Sequence, residues 1–171
     1  MATKQHQYES LVRAYHKELY KFAYWLCGDP SIAEDLVQET FLRAWRALDS
    51  LQDEQAAKPW LLTILRRENA RRFERKQFDY AEVEQDTLVD DRSSALDDEM
   101  EQTVVQRQIA SLSAEYREPL LLQVVMGCSG EEIAEILELN KNTVMTRLYR
   151  ARNQLKDALT TKYEPVKGAS N

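Results

Sequence analysis

Within residues 141–162, six bases (Lys141, Arg147, Arg150, Arg152, Lys156 and Lys162) stand against one acid, Asp157. Cations at this density suit phosphate, and Arg or Asn set among them can also reach base edges. A second run, Arg66, Arg67, Arg71, Arg72, Arg75 and Lys76, is diluted only by Glu68 and Glu74. Residues that would build a catalytic centre are poorly placed. His6 and His16 lie near the N-terminus with no carboxylate or cysteine at ligand spacing, so neither metal binding nor acid–base chemistry has a centre there. Cys27 and Cys128 are far apart in the chain and read as small hydrophobes near helix ends, with a redox role as the lesser alternative. The expectation is a protein with no catalytic residues, metal, cofactor or small-molecule substrate.

Both basic runs belong to a chain whose formal net charge is −6. The acidity is local. Between Asp79 and Glu101 ten acids oppose only Arg92, which leaves the sequence on either side mildly basic. That stretch lacks helical apolar periodicity over most of its length and reads as a linker. The 171 residues are 43% hydrophobic and 30% charged, enough for one medium domain or two small ones. No run approaches the roughly 18 apolar residues of a spanning helix, and MATKQHQYES lacks the apolar core of a signal peptide. A cytoplasmic chain with no membrane insertion is expected. Four glycines, four prolines and no alternating β-branched runs argue for an all-α fold.

Apolar spacing supplies the elements that must position the basic runs. Leu11, Val12, Tyr15, Leu19, Phe22, Ala23 and Leu26 form one stripe from Tyr8 onward, ended by Gly28-Asp29-Pro30. Asp29 then caps a second helix, with Pro30 at its first position, running to about Leu48. After the polar loop DSLQDEQAAK, Pro59 opens a third helix to Lys76. Trp60, Leu61, Ile64 and Leu65 pack it, and its basic half, charged all round, should project from the bundle. In the second helix Leu36, Val37, Phe41, Ala44, Trp45 and Leu48 point inward, leaving Asp35, Gln38, Glu39, Leu42, Arg43 and Arg46 outside. Leu42 ringed by polar side chains fits either a stray surface leucine or the apolar centre of an interface; spacing does not choose.

Beyond the acidic stretch Val104, Val105, Ile109 and Leu112 are helically spaced, and Ser113 can cap a helix to about Met126 that contains Pro119. Ser129 and Glu132 are spaced as a capping box before a short helix. Leu139-Asn140 makes a turn, and Asn140 caps the last helix. There Val144, Leu148, Ala151, Leu155 and Leu159 face inward, opposite Asn142, Thr143, Met145, Thr146, Tyr149, Arg150, Asn153 and Lys156. A short capped helix, a tight turn and a longer basic helix form a helix-turn-helix pattern suited to the major groove. The bland alternative is a solvated charged face.

Three ordered runs, AEDLVQETFLRAWRAL, PWLLTILRRENARRFER and LSAEYREPLLLQVVMGCSGEEIAEILELNKNTVMTRLYRARNQL, resemble the small, two-domain extracytoplasmic-function group of bacterial RNA polymerase sigma factors. The resemblance spans roughly Tyr8 to Leu159. It implies a polymerase- and minus-ten-binding domain over 1–77, an acidic linker over 78–100, a minus-thirty-five-binding domain over 101–162 and a tail over 163–171. By resemblance, Asp35, Gln38, Glu39, Leu42, Arg43 and Arg46 meet the clamp helices of β′, with β a further contact of the core enzyme. Ser50, Leu51, Gln52 and Asp53, in a loop that lines a pocket for a flipped base, join Arg66, Arg67, Asn69, Arg71, Arg72, Arg75 and Lys76 on the minus-ten element. Lys141, Asn142, Thr143, Met145, Thr146, Arg147, Tyr149 and Arg150 meet the minus-thirty-five element. An anti-sigma factor is an expected partner.

One departure bears on specificity. Where the family pattern often reads Gly-Thr-Val-Lys/Arg-Ser-Arg, this chain has Asn142-Thr143-Val144-Met145-Thr146-Arg147, so a customary cation is replaced by Met145. The rival readings are an autonomous helix-turn-helix regulator, which normally dimerises on a palindrome, and a helical adaptor or enzyme.

Overall fold

The computed structural model describes residues 3–82 and 100–163, with side chains described for 3–76 and 104–161. Among the described residues there are seven α-helices and no strand, and they fall into two compact units, one on each side of Leu96 and Asp97. Of the expected linker, 83–99 lies outside the described residues, as does the tail from 164.

In the first unit α1 (Lys4–Cys27) packs against α2 (Pro30–Arg46), and both pack on α3 (Ala57–Glu82). The amphipathic stripe is the reason: Leu19, Phe22, Ala23 and Leu26 of α1 meet a core that also holds Leu36, Val37, Phe41, Leu61, Leu62 and Leu65, all buried. Gly28 ends α1 at φ 72°, a left-handed conformation glycine adopts without steric cost, and its N–H donates to the Tyr24 carbonyl. Asp29 starts α2 at once, its carboxylate accepting from the N–H groups of Ser31 (2.8 Å) and Ile32 (3.2 Å).

The third helix departs from expectation at both ends. It begins at Ala57, before Pro59, and continues to Glu82, past the expected boundary at 77. Its basic half does not simply project. Glu68 and Asn69 are buried at 7% and 5% exposure, because Glu68 turns toward α2 and pairs with Arg43, while Arg71 donates to it at 2.9 Å. The charges on either side hide this inward turn in the sequence. Trp45 also departs: it is 37% exposed, lying edge-on to Tyr8 at 5.1 Å with the Lys4 ammonium 4.6 Å from its ring centroid. Thr40, fully buried, takes an interior place instead, its hydroxyl donating to the Leu36 carbonyl at 2.7 Å.

The second unit holds α4 (Met100–Ser111), α5 (Ala114–Val124), α6 (Gly130–Leu137) and α7 (Lys141–Tyr163). Ser113 occupies the N-cap position of α5, but its side chain makes no capping bond. The Ser113 carbonyl accepts from Tyr116 and Arg117 instead. Pro119 is buried inside an unbroken α5, so only the Glu115 carbonyl loses its helical donor. The Ser129–Glu132 box is closed in both directions, at 3.0 and 3.2 Å. Asn140 Oδ1 accepts from the Thr143 N–H at 2.8 Å and so starts α7. Ile133, Ile136, Leu121, Val144, Leu148 and Ala151 close the core at 0–1% exposure.

Candidate nucleic-acid interface

The inward stripe of α7 fixes which residues it presents. With Val144, Leu148 and Ala151 buried, the 100° step per residue carries Lys141, Asn142, Met145, Thr146, Tyr149 and Arg150 to the exposed side. Thr143 and Arg147 are half-buried at its edge. An open groove of about 430 Å³ runs along this face, with Asn140, Asn142, Thr146, Arg147 and Arg150 on one wall and Glu115 and Tyr116 of the α5 start on the other. Lys141 is tied to Glu131 of α6, and that hydrogen-bonded ammonium holds the Glu131 carboxyl below its ordinary range. Arg152 is hydrogen-bonded to Gln123 of α5, which anchors α7 to the helix behind it.

The first unit presents two further surfaces. On α2, Asp35, Gln38, Leu42 and Arg46 are exposed and Glu39 and Arg43 half-buried. Leu42, at 52% exposure, is an apolar point inside that polar ring. Arg43 turns away from the surface to Glu68 and also sits 3.4 Å from Glu39. The pair joins the α2 face to α3, and beside it Asp35 and Glu39 confront Arg71, Arg72 and Arg75 across a cleft of about 300 Å³.

The loop before α3 is more ordered than its polar composition indicates. It forms two 3₁₀ turns, Leu48–Ser50 and Glu54–Ala56. Asp53 Oδ1 accepts from the Gln55 N–H at 2.9 Å, and the Ser50 hydroxyl donates to the Ala47 carbonyl at 2.6 Å. Leu51 packs on the cluster of Leu11, Leu48 and Ala57 together with Tyr8, Tyr15 and Trp60. Of the four loop residues singled out above, Ser50, Gln52 and Asp53 are therefore exposed, and Leu51 holds the loop down.

On α3, Arg67, Arg71, Arg75 and Lys76 are exposed and Arg66 and Arg72 half-buried. Asn69 lies off this basic face: it is buried, and its Oδ1 has no hydrogen-bond partner among the described residues. Phe73 adds an aromatic to this face, masked in the sequence by the charges around it. It is 40% exposed among the cations, with the Arg72 guanidinium 5.7 Å from its ring centroid. The signal was available, since an aromatic interleaved with arginines is the pattern of single-strand binding surfaces.

Neither cysteine is part of these faces. Cys128 is buried. Cys27 is half-buried, its thiol donating to the Asp29 carbonyl at 3.4 Å, and burial raises its pKa. His6 and His16 are exposed, His16 stacked on Phe41 at 6.2 Å. No cluster of three or more metal-ligating side chains occurs among the described residues, nor is any helix there long and apolar enough to cross a membrane.

These surfaces coincide with two family patterns. Residues 11–79 match Sigma-70 region 2, and residues 102–155 match Sigma-70, region 4. Similar proteins include the ECF RNA polymerase sigma factor SigW of Bacillus subtilis, 30% identical, with 91% of this chain and 90% of that protein aligned. The ECF RNA polymerase sigma factor SigL of Mycobacterium tuberculosis is 33% identical, covering 86% of this chain and 88% of its own length. SigE of Mycolicibacterium smegmatis is also 33% identical, and the match spans 61% of that longer protein. Among solved structures, the sigma factor RpoE of Bartonella quintana, crystallised with the anti-sigma factor NepR, superposes with a TM-score of 0.76 at 27% identity, over 93% of this chain and 99% of that one. The chain belongs to the ECF RNA polymerase sigma factors. It is a transcription initiation factor and not an enzyme, and an autonomous regulator is not favoured.

Proposed function

We propose that the two units divide the work of promoter recognition as follows. The α2 face, with Asp35, Gln38, Glu39, Leu42, Arg43 and Arg46, docks on the clamp helices of core polymerase. The ordered loop carrying Ser50, Gln52 and Asp53, with the exposed cations of α3, receives the melted minus-ten strand. The exposed side of α7 reads the minus-thirty-five duplex in the major groove. The observation that carries this reading is the recognition helix itself: a doubly capped α6–α7 turn that presents Asn142, Thr146 and Arg150 on one exposed side while its opposite side is fully buried.

Two small basic units joined through an acidic stretch bind DNA poorly when free, since each offers few phosphate contacts and the negative charge opposes them. Docking on polymerase sets their spacing, and affinity then rises through effective concentration without new contacts. Bases captured by the first unit offset the few kcal/mol lost on unstacking each step. The structure of RpoE bound to the anti-sigma factor NepR supports an anti-sigma partner for this chain as well. A cytoplasmic location follows from work on chromosomal DNA.

Arg150→Ala tests the assignment of α7. Footprinting and binding by the holoenzyme should show a loss of about 1–3 kcal/mol confined to one upstream base pair if Arg150 reads a base edge. Equal weakening on every sequence would make it a phosphate contact, and no loss at all would remove α7 from the interface.

A further inference from the structure

Resting on the assignment of α7 to the upstream promoter element, the chemistry of its exposed side narrows what that element contains. A recognition helix probes base edges chiefly with its N-terminal residues. In this chain Asn142, with Thr143 and Arg147 half-buried at the edge, offers donors there, while two further donors are already committed. Lys141 is engaged by Glu131. The Thr146 hydroxyl donates to the Asn142 carbonyl at 2.9 Å, so its proton is committed and its methyl group is what it offers a ligand. Met145 stands where the family pattern often carries a cation, and it is 49% exposed; Tyr149, one turn further on, is 69% exposed. These are two of the largest apolar side chains left in water on the second unit, and they are neighbours at i and i+4 on one helix face.

Met145 is also held in place. A Cβ built on Gly130 at the start of α6 would meet the Met145 sulfur at 3.4 Å. The thioether therefore lies against the helix that braces α7, and less of its freedom is lost on binding. In the major groove only thymine presents a methyl group, whereas guanine presents two acceptors that call for an arginine or lysine.

We infer that Met145 and Tyr149, with the Thr146 methyl between them, form an apolar reading strip that selects thymine by its 5-methyl group in the upstream element. The strip reads by burial of methyl carbon, so it acts as a specificity determinant of this particular chain.

The test uses holoenzyme, formed from the full chain and core polymerase, on a promoter fragment selected from a random library. Each thymine of the upstream element is replaced in turn by uracil, which removes the methyl group and nothing else from the groove edge. Binding by the unaltered protein should weaken roughly fourfold at one or two positions, the worth of one buried methylene-sized group. That penalty should vanish in Met145→Ala or Tyr149→Ala, and Met145→Arg should move the preference at one position from thymine to guanine. Equal binding to thymine and uracil at every position overturns the proposal. So does a penalty of unchanged size in both alanine variants, which would place the methyl effect in DNA shape, or selection of upstream elements without thymine. All three leave the sigma-factor reading of α7 intact, whereas holoenzyme that protects no upstream duplex overturns that reading and the strip together. Both altered residues are exposed, so folding is not at issue, and an unchanged melting temperature confirms it.

Discussion

Leu42→Arg is expected to lower the affinity of the chain for core RNA polymerase about 30-fold, the roughly 2 kcal/mol of an interface hot spot, while leaving its thermal stability unchanged. Leu42 is 52% exposed, so it contributes little to the core of the first unit. Its surroundings make it the natural apolar centre of a contact: Asp35, Gln38, Glu39 and Arg46 ring it and would supply the polar rim. A charged side chain at that point must be desolvated by any partner that closes over the face, which costs more than any exposed pairing with Glu39 returns. Affinity is measured by titrating labelled chain with purified core enzyme. Unchanged affinity would return Leu42 to the class of stray surface leucines and move the docking face elsewhere on the unit.

Phe22→Ala should be the most damaging single substitution for the first unit. Phe22 is 1% exposed and among the largest fully buried side chains, sitting where α1 meets the other two helices. Its removal forfeits transfer energy and leaves a cavity, together about 3–5 kcal/mol. In a unit of this size each kcal/mol moves the midpoint by about 4–8 °C, so the transition should fall by at least about 12 °C. The three tryptophans, Trp25, Trp45 and Trp60, all belong to the first unit, so tryptophan fluorescence, excited selectively over tyrosine, follows that unit without a contribution from the second. A shift of only a few degrees would mean that the bundle collapses around the cavity.

How far the sequence disclosed these faces depended on whether period or partner decides a residue's place. The capping box at Ser129 and Glu132, the Asn140 cap and the α1–α2 junction at Gly28-Asp29-Pro30 are local chemistry, and the structure has each where the residues place it. The inward stripe of α7 was equally legible, because one apolar arc stood opposite one polar arc. Glu68 and Asn69 were not. They lie in a run of arginines where the helical period carries no apolar signal, and Glu68 turns inward because Arg43, on another helix, waits for it. Trp45 departs from its period for the converse reason. Its apolar bulk fits the inward arc, yet Tyr8 and Lys4 cover it at the surface.

The loop over Leu48–Ala56 shows a third limit. Composition gave it only polarity, whereas Leu48 and Leu51 pack on Leu11 of α1 and Ala57 of α3, and the Asp53 carboxylate caps the second 3₁₀ turn. That order matters for the proposed function, because a loop already fixed in shape loses less entropy when it receives a single-stranded base.

That selectivity lies in two cationic helical units spaced by a larger machine can be checked in one reaction. Purified chain and core polymerase are mixed with a genomic library of DNA fragments, and the transcripts are mapped. Initiation should occur at a defined subset of fragments that share two separated elements, with no such selection by either component alone. Absence of binding between the chain and core enzyme, or promoter duplex held as tightly by the free chain as by the holoenzyme, would contradict it.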